Sequence, residues 1–188
     1  MTSTAPSLTT PRAVRTRARI VDAALDLFER QGYDATTTAQ VAAAAGVTQM
    51  TFFRHFPTKD AVVVSDPYDP LIADAVGAQP RGLPPFERVR RGMLAARGDV
   101  APAADSTALR RIAVVTANPR LRAAVVLATS ATEDAIADRL VADGAPRFDA
   151  SVAAAACLGA CTAALLARAD ATTPLAKTVT RALEVLDV

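Results

Sequence analysis

Between residues 36 and 57 the chain reads TTTAQVAAAAGVTQMTFFRHFP, and the spacing of its punctuation leaves little freedom of fold. Thr37, followed three residues later by Gln40, fits a capping box, in which hydroxyl and amide satisfy the orphan backbone N–H groups of a helix start. That helix can run only to Ala45, because Gly46 supplies a helix end and a tight turn. Thr48 then caps a third short helix reaching about His55, and Pro57 forbids a smooth continuation. A short helix, a turn of about three residues and a second short helix have helix-turn-helix spacing.

The rest of the chain agrees with an all-α class. Residues 1–11 are Thr, Ser and Pro without periodicity and read as a disordered tail. From Arg12 a helix begins whose Ile20, Ala24, Leu27 and Phe28 form one apolar stripe, with Asp22, Asp26, Glu29 and Arg30 on the other side and Gly32 as its stop. Thr58 is expected to cap a fourth helix with Lys59 and Asp60 in its first turn. In SDPYDPL, Pro67 and Pro70 each remove a backbone donor, so a kink or break is expected at 66–70. Proline and glycine punctuation divides the remainder into helices near 71–78, 85–98, 103–117, 119–143, 149–168 and 174–187. No segment sustains a period-two pattern of β-branched residues, so strands are not needed. Hydrophobic residues make up 51% of the chain, which is enough for a real core, and much of that is alanine, which favours close-packed helices.

Charge and cysteine usage narrow the function classes. A formal net charge of +2 does not by itself announce a nucleic-acid binder, but Arg12, Arg15, Arg17 and Arg19 fall in an acid-free stretch. That amino-terminal arm suits phosphates or a minor groove. The start lacks an apolar signal core, so secretion is not expected. The uncharged run Ala150–Ala167 approaches the length of a membrane span, yet its alanine, glycine, serine, threonine and cysteine suit a helix buried inside a bundle or an interface, with no membrane involved. Cys157 and Cys161 lie four apart on that helix and share a face. A bridge there would constrain almost nothing, so they read as small hydrophobes in a reducing cytoplasm. No metal-ligand cluster, phosphate-cradling glycine loop or cofactor motif is present, and the lone histidine lies in the helix-turn-helix. An enzyme carrying such an appendage therefore has little support, and no cofactor is expected.

A recognition helix needs one apolar side to seat it and one polar side to enter the major groove. Phe52 and Phe56, with Val47, are expected to pack onto Ile20, Leu27, Phe28 and Val41, leaving Gln49, Thr51, Arg54 and His55 exposed. Gln pairs bidentately with adenine and Arg with guanine, and a threonine methyl meets a thymine methyl. Lys59, with backbone N–H groups at the helix starts near Thr37, Thr38 and Thr58, suits phosphate oxygens.

The stretch GYDATTTAQVAAAAGVTQMTFFRHFPTKDAV, with RIVDAALDLF before it, resembles the DNA-binding module of the TetR family of bacterial transcriptional regulators. The likeness rests on the threonine run, the Val-Ala-x-x-Ala-Gly-Val core, a capping Thr48, Phe-x-x-Phe and Lys59, and covers about a third of the chain. It implies a cytoplasmic homodimer on a palindromic double-stranded operator, most often a repressor released by a small-molecule ligand. The implied domains are a helix-turn-helix domain over 12–60 and a ligand-binding and dimerisation domain over 61–188. The DNA-contacting positions it implies are Thr37 or Thr38, Gln49, Thr51, Phe53, His55 and Lys59; joined to the residues read above from the arm and the two short helices, the candidate set is Arg17, Thr37, Thr38, Thr48, Gln49, Met50, Thr51, Phe53, Arg54, His55 and Lys59. Two positions depart from the family's habit. Phe53 stands where a tyrosine hydroxyl usually holds a phosphate, and Met50 where a small residue is common, so both would make apolar contacts.

Beyond residue 61 the expectations are broader. The helices 119–143 and 149–168 are the candidates for an intersubunit four-helix bundle, with the terminal helix able to share that role. A pocket is expected among helices 71–78, 85–98, 103–117 and 119–143, lined by Phe86, Val89, Met93, Leu94, Ile112, Val115 and Leu127. In RVRRGMLAAR, Arg88 and Arg91 suit an anionic ligand head or, more plainly, a solvated basic face. A loose likeness of TKDAVVVSDPYDPL and RRIAVVTANPRLRA to an acyl-CoA-binding subgroup makes an acyl-CoA-like or otherwise hydrophobic effector the expected class. The competing reading is a DNA-binding regulator or adaptor without a small-molecule switch.

Overall fold

A computed structural model describes residues 11–65, 69–98, 102–168 and 173–186, and among them every regular element is helical. Four helices come first: α1 (Pro11–Gln31), α2 (Thr38–Ala44), α3 (Gln49–His55) and α4 (Ala61–Val64). Six follow: α5 (Asp69–Gly77), α6 (Pro85–Gly98), α7 (Pro102–Ala117), α8 (Pro119–Ala142), α9 (Arg147–Leu166) and α10 (Leu175–Glu184). The sequence punctuation places most of these ends. Gly32 and Gly46 take φ of 85° and 62°, the left-handed region where a side chain is penalised. The Thr37–Gln40 capping box is present in both directions, and Asn118 caps α8 with Pro119 in its first turn.

Three boundaries differ from the expectations. Pro11 already belongs to α1, so the helix begins inside the expected tail, while residues 1–10 lie outside the described residues. The helix after Thr58 starts only at Ala61: the Thr58 hydroxyl accepts from the Ala61 N–H at 3.1 Å, but Lys59 and Asp60 precede the helix and are used in tertiary contacts instead. The expected break at 66–70 falls partly on residues 66–68, outside the described residues; α4 ends at Val64 and α5 begins at Asp69.

Two apolar cores organise the packing. The first gathers the predicted stripe Ile20, Ala24, Leu27 and Phe28 of α1 with Val41, Phe52, Phe56 and Val62. It also takes Val115 from α7 and Leu121 from α8, so the helix-turn-helix unit is seated on the larger helical layer. Across that seat Arg110 of α7 pairs with Asp26 and Glu29 of α1 at 2.6 Å each. The second core joins Val76 of α5, Val89 and Met93 of α6, Ile136 and Leu140 of α8, Cys157 of α9 and Leu183 of α10. Gly92 permits the close approach of α6 to α5, since a Cβ there would lie 2.6 Å from the Val76 backbone.

Arg88 and Arg91 find partners within this layer. Asp143, at the carboxy-terminal end of α8, receives Arg88 at 2.7 Å, Arg81 at 2.8 Å and Arg139 at 3.4 Å, and the Arg88 pair is buried. The neighbouring guanidinium groups, Arg88 first, hold the Asp143 carboxyl below its ordinary range. Arg91 pairs with Glu87 at 2.5 Å. They form intramolecular ion pairs, one of them buried, and neither is left to a ligand head.

The uncharged run of α9 buries Ala150, Ala153, Ala154, Cys157, Leu158 and Cys161 against the bundle. By length and composition alone α9 could cross a membrane, but this face is committed to the protein core. Both cysteines are buried thiols outside any disulfide, and burial pushes the Cys157 thiol up to about 12, which makes it a poor nucleophile at neutral pH.

A candidate DNA-reading face and an adjoining cavity

At seven residues α3 is too short to stand alone and depends on its caps and its seat. The Thr48 hydroxyl accepts from the Thr51 N–H at 3.1 Å, and the two threonine hydroxyls lie 3.0 Å apart. Phe52 and Phe56 are fully buried, and Phe53 meets the edge of Phe52 with ring centroids 5.4 Å apart. These contacts leave Thr48, Gln49, Met50, Phe53 and Arg54 exposed, with Thr51 half-buried between them. Met50 is 78% exposed and Phe53 47%, so both apolar side chains stand on the outer face. Thr37 is exposed at the start of α2 and Thr38 is half-buried beside it.

Three residues expected to face DNA are instead engaged within the protein. His55 is only 8% exposed, contrary to its expected place on the outer face. Burial, and then the positive charges of Arg54 and Arg17, lower its pKa, so the imidazole is held neutral. Arg17 does not extend as a free arm. It is part of α1, donates from Nη1 to the His55 carbonyl at 3.0 Å and lies 4.1 Å over the Phe56 ring. Burial lowers its pKa as well. Lys59 donates from Nζ to the carbonyls of Tyr33 and Thr36 at 2.8 and 2.9 Å and sits over the Tyr33 ring. The Tyr33 hydroxyl in turn donates to Asp60, which together with burial raises its pKa. Arg19 donates to the Ala45 carbonyl at 2.9 Å. Arg17, Arg19 and Lys59 thus act as straps that tie the ends and turns of the helix-turn-helix together.

Next to this unit lies a cavity of about 580 Å³, within the roughly 300–1,000 Å³ of small-molecule pockets. Its walls come from α1, α4, α5, α6, α7, α8, α9 and α10. Of the expected lining, Met93, Ile112 and Val115 are there. The others are not. Val89 is fully buried in the second core, Phe86 packs against that core, and Leu127 is 78% exposed on the outside of α8. Leu94 likewise packs against the second core. What the sequence concealed is the contribution of Val14, Arg17 and Val21 of α1 and of Leu158, Cys161 and Leu166 of α9. Periodicity marks these as apolar or small but does not say which cavity an apolar face lines.

Residues 20–65 match the family model for bacterial regulatory proteins of the TetR family, and residues 83–187, more than half of the chain, match the MftR C-terminal domain of that family. The chain belongs to the TetR family of transcriptional regulators. Among curated TetR-like relatives, it is 35% identical to the HTH-type transcriptional regulator TcmR of Streptomyces glaucescens over 101 residues, 53% of this chain and 45% of that protein. It is 46% identical to the uncharacterised HTH-type regulator YvkB of Bacillus subtilis over 48 residues, 26% of this chain and 25% of that one. The chain therefore spans less than half the length of the curated relatives it matches. Among solved structures, NalD, the secondary repressor of the MexAB-OprM multidrug efflux pump of Pseudomonas aeruginosa, is similar with a TM-score of 0.54 and 18% identity, covering 95% of this chain and 96% of that one. The fatty acid degradation regulator FadR of Bacillus halodurans is similar with a TM-score of 0.52 and 16% identity, covering 98% and 96%. At these identities the structural likeness speaks to the TetR fold, which extends over nearly the whole chain.

Proposed function

We propose that this TetR-family chain is a cytoplasmic repressor that binds a palindromic operator as a homodimer and leaves it when a small molecule fills the cavity. One observation carries the proposal: a seated, capped α3 with Gln49, Met50, Phe53 and Arg54 outward lies beside a cavity whose walls include α1 of the same unit and α4, the helix that follows it. Gln49 and Arg54 would read base edges, Phe53 and Met50 would make apolar contact with thymine methyls or sugars, and Thr37, Thr38, Thr48 and Thr51 would hold phosphates. The division proposed is a DNA-binding domain over 12–60 and a ligand and dimerisation domain over 61–188.

The dimer reading rests on α8 and α9, where Val126, Leu127, Phe148 and Val152 are exposed large hydrophobics. Pairing these helices with their copies would bury that surface in a four-helix bundle and set two copies of α3 about 34 Å apart, one helical turn of DNA. A ligand preferring a dimer with mis-spaced reading heads must weaken DNA binding by the same coupling free energy. The alternative, a regulator without a switch, is disfavoured by the cavity itself.

Capture of fragmented genomic DNA by the purified chain, followed by sequencing and by anisotropy titration of the captured sites, tests the reading. Enrichment of discrete sites bound at two chains per site is expected. Binding that is uniform across fragments, or one chain per site, would count against it.

A further inference from the structure

The cavity wall is mostly apolar and includes two arginines. Met93, Ile112, Val115, Leu158 and Leu166 are among its apolar lining residues, while the two arginines, Arg17 of α1 and Arg111 of α7, stand beside them in the wall. Asp22 of α1 is the one carboxylate among the lining residues and is exposed. Both arginines also grip the carboxy-terminal end of a short helix. Arg17 donates to the carbonyl of His55, the last residue of α3, at 3.0 Å. Arg111 donates to the carbonyl of Ser65, which caps α4, at 2.9 Å. Terminal carbonyls of this kind lack intrahelical partners, and a cation beside them also complements the helix dipole. Each cavity arginine therefore completes the end of one helix that positions the DNA-reading face.

We infer that the cavity takes an amphipathic anion, whose carboxylate or phosphate head engages Arg17 and Arg111 and draws them from the His55 and Ser65 carbonyls. The inference rests on the ligand-released regulator reading above and names the ligand class and the coupling residues. Guanidinium groups bind carboxylate and phosphate through two parallel bonds between full opposite charges, whereas each backbone carbonyl offers a single neutral acceptor. An anion in the cavity thus outcompetes the two backbone acceptors. The apolar walls suit a hydrocarbon tail. Losing both straps frees the carboxy-terminal ends of α3 and α4 together, so ligand and DNA oppose one another through the same two side chains. Linkage then requires that operator DNA weaken the anion's binding by the same factor.

The test uses the full chain, an operator duplex captured by it, and three probes of equal chain length: dodecanoate, dodecyl phosphate and dodecan-1-ol. Calorimetry should show at least one of the two anions binding about tenfold or more tighter than the alcohol, the scale of charge-assisted hydrogen bonds, and the better of the two identifies the head. That anion should raise the operator Kd while the alcohol leaves it nearly unchanged. Arg17→Met and Arg111→Met should each bring the anion-to-alcohol ratio towards one, and Arg17→Lys should retain part of it. Alcohol binding by the same variants reports an intact cavity, and Arg17→Lys serves where Arg17→Met does not fold. A wild-type ratio near one, or a ratio unchanged in both methionine variants, overturns the inference while the regulator reading stands. Absence of operator binding in the probe-free samples would instead remove the regulator reading.

Discussion

His55 shows how a single side chain can change its role once its neighbours are known. Its outward position was a fair expectation from the polarity of QMTFFRH, yet the side chain is buried beside two arginines and its pKa is lowered. The folded state therefore prefers the neutral ring, and the unfolded chain takes up the proton first. Stability from this group is complete above the ordinary histidine value and falls as pH drops through and below it. Thermal melts from pH 8 to pH 5 should show a steeper acid loss in the wild type than in His55→Gln; parallel curves would refute the role. Lys59 makes the same point with a different readout. Because its ammonium is spent on the Tyr33 and Thr36 carbonyls, Lys59→Met should lower stability by about 1–3 kcal/mol. The salt dependence of DNA binding should keep its slope, whereas a lost phosphate contact would reduce it by about one. Neither assignment is legible in the sequence, because the burial of His55 and the grip of Lys59 depend on partners far away along the chain.

Elements were more legible than residues. Thr37, Gln40, Gly46 and Thr48 mark helix ends through local hydrogen bonds and backbone conformation, which act over a few residues and can be read directly. The start of α4 was not, since Thr58 caps Ala61 only after Lys59 and Asp60 are drawn into contact with the turn around Tyr33. For α3 the dominant stabilising contribution is the burial of Phe52 and Phe56 in the first core. Phe56→Ala should cost about 3–5 kcal/mol by removing a fully buried ring. Chemical denaturation measures this; a loss below about 1 kcal/mol would mean that α3 is held mainly by its caps.

At the scale of the whole molecule, helix order and the first core followed from punctuation and apolar stripes, but the second core and the cavity did not. Its lining combines eight helices, and Val89 and Leu127, alike in hydropathy, end respectively in the core and on the surface. The exposed apolar residues of α8 and α9 make their own prediction: Leu127→Asp should shift the chain from dimer towards monomer in sedimentation equilibrium and weaken operator binding with it, and an unchanged dimer would move the interface elsewhere. The division of α3 into a seated side and a reading side is tested most directly by selecting DNA from a random duplex pool with the wild type and with Gln49→Ala. The wild type should enrich an inverted repeat, and Gln49→Ala should relax it at one symmetry-related position in each half-site while leaving the rest intact. Failure to enrich any repeat at low salt, or an unchanged motif in the variant, would contradict this assignment.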